Sequence, residues 1–215
     1  MIAKRSPSLL RQAATWLAPP AWLVFRGPRQ RREIALTFDD GPEPLYDQYL
    51  DVLDRHGARA TFFLLGKCCA ERPDAVLEMV RRGHEVCGHS FTHRRFPLLS
   101  PHELDDELDR TAALLPVPSR RRPLVRPPGG GVSMKSLWHC ARRGYTTVMW
   151  SLDSDDCRTQ AADEVLARVA PERVRAGEIV LLHEGQSWTL AALPKLIEGL
   201  TKAGYALVTV SELLR

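Results

Sequence analysis

The sequence predicts a parallel α/β fold, either a barrel or an open doubly wound sheet, on two observations. From Glu33 onward, short β-rich runs alternate with helical patterns, and each pair closes near a glycine. Most of the β-rich runs are continuously apolar, as expected of strands buried on both faces of a parallel sheet. Periodicity does not choose between the two architectures. Both of them gather their chemistry at the carboxyl ends of the strands.

Seven strands are read at 33–38, 60–65, 84–87, 124–126, 146–150, 179–182 and 206–210. The helices between them carry start and stop signals. Val76, Met79 and Val80 run up to a C-terminal cap at Gly83. Ser100-Pro101-His102-Glu103 is a capping box with proline at the first helical position, and Leu104, Leu108, Ala112 and Leu115 follow at helical spacing. Leu190, Leu193, Ile197 and Leu200 repeat that spacing before Gly204, with Pro194 predicting a late start to the regular helix.

Of the 215 residues 44% are apolar and 26% charged, which fits one globular domain and excludes long disorder and repeat arrays. Residues 1–32 hold seven basic residues (Lys4, Arg5, Arg11, Arg26, Arg29, Arg31 and Arg32) and no acidic one, and read as a basic N-terminal arm ahead of a body spanning 33–215. Within that body 23 basic residues face 26 acidic ones, so a nucleic-acid footprint is not expected. The run Arg120–Arg122 reads as a solvated loop. The apolar stretch 13–25 is split by Pro19-Pro20 and lacks a small-residue cleavage site before Arg26, so it does not read as a signal peptide. It is also shorter than the about 20 residues a bilayer span needs. Trp16, Trp22 and Phe25 beside arginines suit a peripheral membrane contact, although a loosely packed arm is the preferred reading. Five cysteines (Cys68, Cys69, Cys87, Cys140 and Cys157), odd in number and without a C-x-x-C pair, point to a reducing compartment and a cytoplasmic location.

Five of the seven strand ends carry ionisable groups. They are Asp39-Asp40-Gly41-Pro42, His89-Ser90-Phe91-Thr92-His93, Arg126-Pro127-Pro128-Gly129, Asp153-Ser154-Asp155-Asp156-Cys157 and His183-Glu184. Each alone reads as a turn, a surface histidine pair or a loop salt bridge. Independent turns would have no reason to set all of them on one face. Two imidazoles and one carboxylate leave an open position on a tetrahedral zinc, the arrangement of hydrolytic zinc. Adjacent side chains on an extended strand point opposite ways, so one vicinal aspartate is expected to be a ligand and the other free to act as a base.

In the order and spacing of these five motifs, from Ile34 to Leu214, the chain resembles the NodB-homology polysaccharide deacetylases, carbohydrate esterase family 4. The resemblance implies a distorted (β/α) barrel with about seven parallel strands and a metal-dependent hydrolase that removes an N-acetyl group from an amino sugar. It assigns one divalent metal, zinc above others, to Asp40, His89 and His93. Asp39 is then the general base, His183 the general acid, Arg126 the partner of Asp39 and Asp156 the partner of His183. Leu181 lines the acyl pocket and the backbone N–H of Gly129 holds the oxyanion. The compact length resembles the chitooligosaccharide deacetylases, with an N-acetylated oligosaccharide or glycolipid precursor as substrate.

Three positions depart from the family pattern: Gly129 and Cys157 stand where aromatics are usual, and Glu184 replaces an aspartate. The two lost aromatics open the pocket wall, and Trp188 is the local candidate to stack on a sugar face, against the alternative that it packs on the following helix. Two other readings are a hydrolase of a cyclic or non-sugar amide on the same fold, and a non-catalytic carbohydrate-binding protein. The complete set of motif residues argues against the last.

Overall fold

The computed structural model describes residues 19, 21–118 and 121–215. Lys4, Arg5, Arg11 and Trp16 of the expected arm, and Arg120, lie outside the described residues. The strands are β1 (Leu23–Val24), β2 (Glu33–Asp39), β3 (Ala60–Leu64), β4 (Glu85–Gly88), β5 (Leu124–Val125), β6 (Thr146–Val148), β7 (Leu152–Asp153), β8 (Ile179–His183) and β9 (Ala206–Leu207). The helices are α1 (Tyr46–Arg55), α2 (Gly66–Glu71), α3 (Pro73–Arg81), α4 (Pro101–Ala112), α5 (Met134–Arg142), α6 (Ala162–Arg168), α7 (Ser187–Lys202) and α8 (Val210–Leu213).

Every strand pairing is parallel, in the order β1-β6-β5-β4-β3-β2-β8-β7, with β9 also on β2. The segment from β6 to β7 is one bent run that joins β5 through its first half and β8 through its second. This is the distorted (β/α) barrel, with nine short strands among the described residues against seven expected.

Alternation along each strand divides two apolar layers. Ile34, Leu36 and Phe38 of β2 and Val180 and Leu182 of β8 pack outward against Tyr49, Leu50 and Leu53 of α1 and Leu193, Leu196 and Ile197 of α7. Ala35, Phe63, Cys87, Val148 and Ile179 point inward, and Val210 and Leu213 of α8 pack with them. The inner layer leaves Thr37 and Asp39, two residues apart, facing the barrel axis at the carboxyl end.

Most strand ends shift by one or two residues from the sequence reading, and three departures are larger. The run 206–210 stops at Leu207, because Thr209 and Glu212 form a reciprocal capping box that starts α8 at Val210. Pro194 does not delay α7, which begins at Ser187 and carries the proline inside. The first turn is fastened by the Trp188 indole N–H, which donates to the Asp156 carbonyl at 2.7 Å, and by the Thr189 hydroxyl, which donates to the Asp156 carboxylate at 2.8 Å. The last part of the segment read as an arm belongs to the sheet. Leu23 and Val24 pair with Thr147 and Val148, and Leu23 packs against Leu137 and Met149 with Trp22 and Phe25 beside it. A two-residue strand in a proline-split stretch leaves no periodicity to read.

Leu23 is 6% exposed, so Leu23→Ala is expected to destabilise the fold by about 2–5 kcal/mol in urea denaturation, the range for a buried leucine. An unchanged midpoint would return this segment to a loosely packed arm.

Candidate active site

The motif residues stand where their strands end. Asp39 closes β2, His89 follows β4, Arg126 follows β5, Asp156 lies in the loop after β7 and His183 closes β8. Pairing sets Asp39 directly beside His183.

Arg126 is fully buried. Its Nη1 donates to Asp39 Oδ1 at 2.7 Å and to Thr37 Oγ1 at 2.8 Å, Nη2 donates to the Met149 carbonyl at 3.2 Å, and Nε to that of Val148 at 3.3 Å. The guanidinium also lies 4.0 Å from the centre of the Phe63 ring. Burial lowers its pKa from the usual arginine range, and the Asp39 carboxylate opposes that shift. One oxygen of Asp39 is thereby committed to Arg126, and Oδ2 lies 3.7 Å from His89 Nε2.

The vicinal aspartates do not point opposite ways. Asp40 has φ of 78°, so the extended geometry ends at Asp39 and both carboxylates reach one centre. They differ in their partners and not in the face they occupy. Asp40 Oδ1 is buried with no hydrogen-bond partner among the described residues, 3.5 Å from His89 Nε2 and 3.3 Å from His93 Nε2. His89 Nδ1 lies 2.8 Å from the Arg126 carbonyl. That carbonyl can only accept, so Nδ1 carries the proton and Nε2 keeps its lone pair. Burial lowers the His89 pKa and keeps the ring neutral. Ligand atoms of Asp40, His89 and His93 lie within 4.8 Å of one another. A buried unpartnered carboxylate oxygen beside two imidazole nitrogens fits a divalent cation, and an N₂O donor set suits zinc.

His183 sits on the opposite side of Asp39. Its Nδ1–H donates to Asp156 Oδ1 at 2.6 Å and its backbone N–H to Asp156 Oδ2 at 2.7 Å. Burial works against the imidazolium, but the hydrogen bond and charge of Asp156, reinforced by Asp39 and Asp40, push the pKa up to about 9. The stability carried by this pair is complete below the ordinary histidine pKa of about 6.5 and is lost as pH rises through the raised value.

The remaining expected residues fall around this centre. Leu181 is buried on β8, two residues before His183 and on the same side of the strand. Gly129 is exposed on the turn Pro128–Gly130 with φ of 57°, and a Cβ there would meet nothing within 4 Å. Cys157 is an exposed free thiol. Trp188 is half-buried, its N–H engaged by the Asp156 carbonyl and its ring packed against the outer core, so its contacts brace the Asp156 loop.

Four supporting residues escaped the sequence reading. Thr37 bridges Arg126 and the Val180 carbonyl. Thr189 fixes Asp156. The Tyr49 hydroxyl donates to the Gln186 carbonyl at 2.6 Å and steadies the chain after His183. Glu107 of α4 binds the turn between the two histidines. Glu184, known from sequence only as a departure, is buried against Gly41 and accepts the Glu43 N–H at 2.7 Å, and burial pushes its carboxyl up to about 8.

A family model described as polysaccharide deacetylase matches residues 26–148. A peptidoglycan-N-acetylglucosamine deacetylase of Bacillus cereus is 35% identical over 205 residues, covering 93% of this chain and 96% of the relative. A chitooligosaccharide deacetylase of Bradyrhizobium is 33% identical, covering 85% and 90%. Among solved structures, a peptidoglycan N-acetylglucosamine deacetylase in complex with 4-naphthalen-1-yl-N-oxidanyl-benzamide superposes with a TM-score of 0.85 at 26% identity, covering 97% of each chain.

Asp156→Asn is expected to lower the His183 pKa by more than one unit from its value of about 9, as read by NMR titration of the imidazole. A value that stays near 9 in the variant would place the cause of the shift elsewhere.

Proposed function

The chain belongs to the polysaccharide deacetylase family, carbohydrate esterase family 4, and we propose that it hydrolyses the N-acetyl group of an amino sugar in a glycan, using one divalent cation held by Asp40, His89 and His93. The observation that carries this reading is the buried, unpartnered Oδ1 of Asp40 facing the Nε2 atoms of both histidines. The relatives support the substrate class. Two of those named above are a peptidoglycan-N-acetylglucosamine deacetylase and a chitooligosaccharide deacetylase.

When bound, the cation would polarise the amide carbonyl and make a water acidic enough to attack near neutral pH. Asp39 is the base in this reading, because Asp40 offers the free ligand oxygen while Asp39 is held by Arg126. Arg126 fixes the base through Oδ1 and leaves Oδ2 turned toward the metal ligands, where the attacking water must lose its proton. Expulsion of an amine anion is prohibitive, so the sugar nitrogen needs a proton as the C–N bond breaks. His183 holds that proton at neutral pH, since Asp156 takes Nδ1–H and leaves Nε2 for the substrate. The Gly129 N–H, on an exposed turn at the barrel mouth, is the backbone donor assigned to the oxyanion.

The open space at Gly129 and the exposed Cys157 favour a pocket wide enough for acyl groups larger than acetyl. The substrate class we favour, from the activities of the relatives, is an oligosaccharide carrying N-acetylated amino sugars, with larger N-acyl groups tolerated.

Incubating the zinc-loaded protein with N-acetylglucosamine oligomers, peptidoglycan fragments and lipid-linked N-acetylated sugars should release about 42 mass units per deacetylated sugar from at least one of them, read by mass spectrometry. Asp39→Asn should retain the metal and lose about 10²–10⁴-fold in kcat, the usual worth of a general base. Near-full activity with metal retained would remove Asp39 from that role.

Cys157→Trp should narrow the acyl preference, lowering kcat/KM for N-butyryl more than for N-acetyl versions of one active substrate. An unchanged ratio would refute the enlarged pocket.

A further inference from the structure

We propose that Glu107 is the positioning residue of the two histidine ligands, setting the affinity of the centre for its cation from outside it. The inference rests on the assignment of Asp40, His89 and His93 as ligands. His89 and His93 do not lie on one helix. They flank a tight turn in which Ser90 has φ of 70° and His93 φ of 65°. Non-glycine residues in that region are strained and persist only where the surroundings hold them.

Hydrogen bonds hold the backbone of the turn from two sides. Its carbonyls are taken from one side: Ser90 and Phe91 accept the N–H groups of Gly66 and Lys67 at 3.0 Å each, at the start of α2. A Cβ at Gly66 would collide with the Phe91 ring, so glycine lets α2 come this close. Its N–H groups are taken from the other side. Glu107 Oε2 accepts from Phe91 at 2.7 Å and from Thr92 at 2.8 Å, and Oε1 accepts from the Thr92 hydroxyl. The His93 N–H donates to Ser90 Oγ at 2.9 Å.

Glu107 is 3% exposed and forms no ion pair among the described residues. Among the described residues its side chain has three donors, all from the turn, and α4 is rigid beneath it through the capping box at Ser100 and the Thr111 hydroxyl on the Glu107 carbonyl. Charge-assisted bonds of this kind are about twice as strong as neutral ones. Arg110, one turn further along α4, lies 3.7 Å from the centre of the Phe91 ring and closes the outer side. The imidazole of His93 therefore meets Asp40 on a turn that α4 holds in place.

The test is the zinc dissociation constant, measured by competition with a chromogenic chelator, for the wild type, Glu107→Gln and Thr92→Val. Apo-protein thermal stability is recorded alongside. Glu107→Gln keeps the shape but cannot accept at both terminal atoms, and should weaken zinc binding about 10–100-fold, the usual effect of losing a partner that orients a ligand. Thr92→Val, at an exposed position, removes one donor and should weaken binding in the same direction by less. A purely structural role for Glu107 would lower apo stability and leave the dissociation constant of the folded protein unchanged, which would overturn the proposal. If Glu107→Gln fails to fold, Thr92→Val decides alone, and an unchanged constant in it has the same meaning. A wild type that binds no zinc would instead remove the ligand assignment on which the proposal stands.

Discussion

The buried pair of Arg126 and Asp39 is the contact on which the rest of the site depends. A guanidinium with no exposure to solvent must find partners for its donors within the fold, and here they come from β2 and from the chain at and after β6. The same residue gives its carbonyl to His89 and its backbone N–H to the Gly88 carbonyl. One residue thus ties the Asp39 carboxylate, the tautomer of His89 and strands β2, β4 and β6 into a single arrangement. Removing one partner of a buried ion pair typically costs about 3–5 kcal/mol, because the other charge is left without compensation.

That arrangement separates two jobs that adjacent aspartates would otherwise contest. Asp39 is occupied by a cation that cannot leave, and Asp40 is left with a buried oxygen that nothing in the described protein satisfies. Across β2, the His183–Asp156 pair is built on the opposite principle. Asp156 is fully buried and accepts from His183 twice and from Thr189 once, so its charge is spent on keeping a proton on the imidazole. A carboxylate held by an arginine and an imidazole held by an aspartate thus stand side by side on neighbouring strands, the division of groups that the proposed amide hydrolysis calls for.

The strand-end motifs stand out in the sequence because each is a contiguous run of ionisable residues, and the fold brings those runs to one end of the sheet. Continuous apolar runs made the parallel fold legible for the same reason. What stayed hidden acts through tertiary contacts. Glu107 sits mid-helix in the pattern of an ordinary charged face, and only the folded chain brings it to the His89–His93 turn. Thr37 reads as a strand threonine until Arg126 arrives from the other side of the barrel. The opposed directions expected for Asp39 and Asp40 failed because extended geometry was carried one residue too far, to a position with φ of 78°. Pro194 failed as a start signal because the first turn of α7 is secured by Asp156, far away in sequence.

The arrangement of the centre is tested most directly by anomalous diffraction at the zinc edge from crystals of the zinc-loaded protein. The predicted result is one peak about 2.0–2.2 Å from His89 Nε2, His93 Nε2 and an Asp40 carboxylate oxygen, with Asp39 still on Arg126 and outside the coordination sphere. A peak bound by Asp39 with Arg126 released, or no peak among these three side chains, would contradict it.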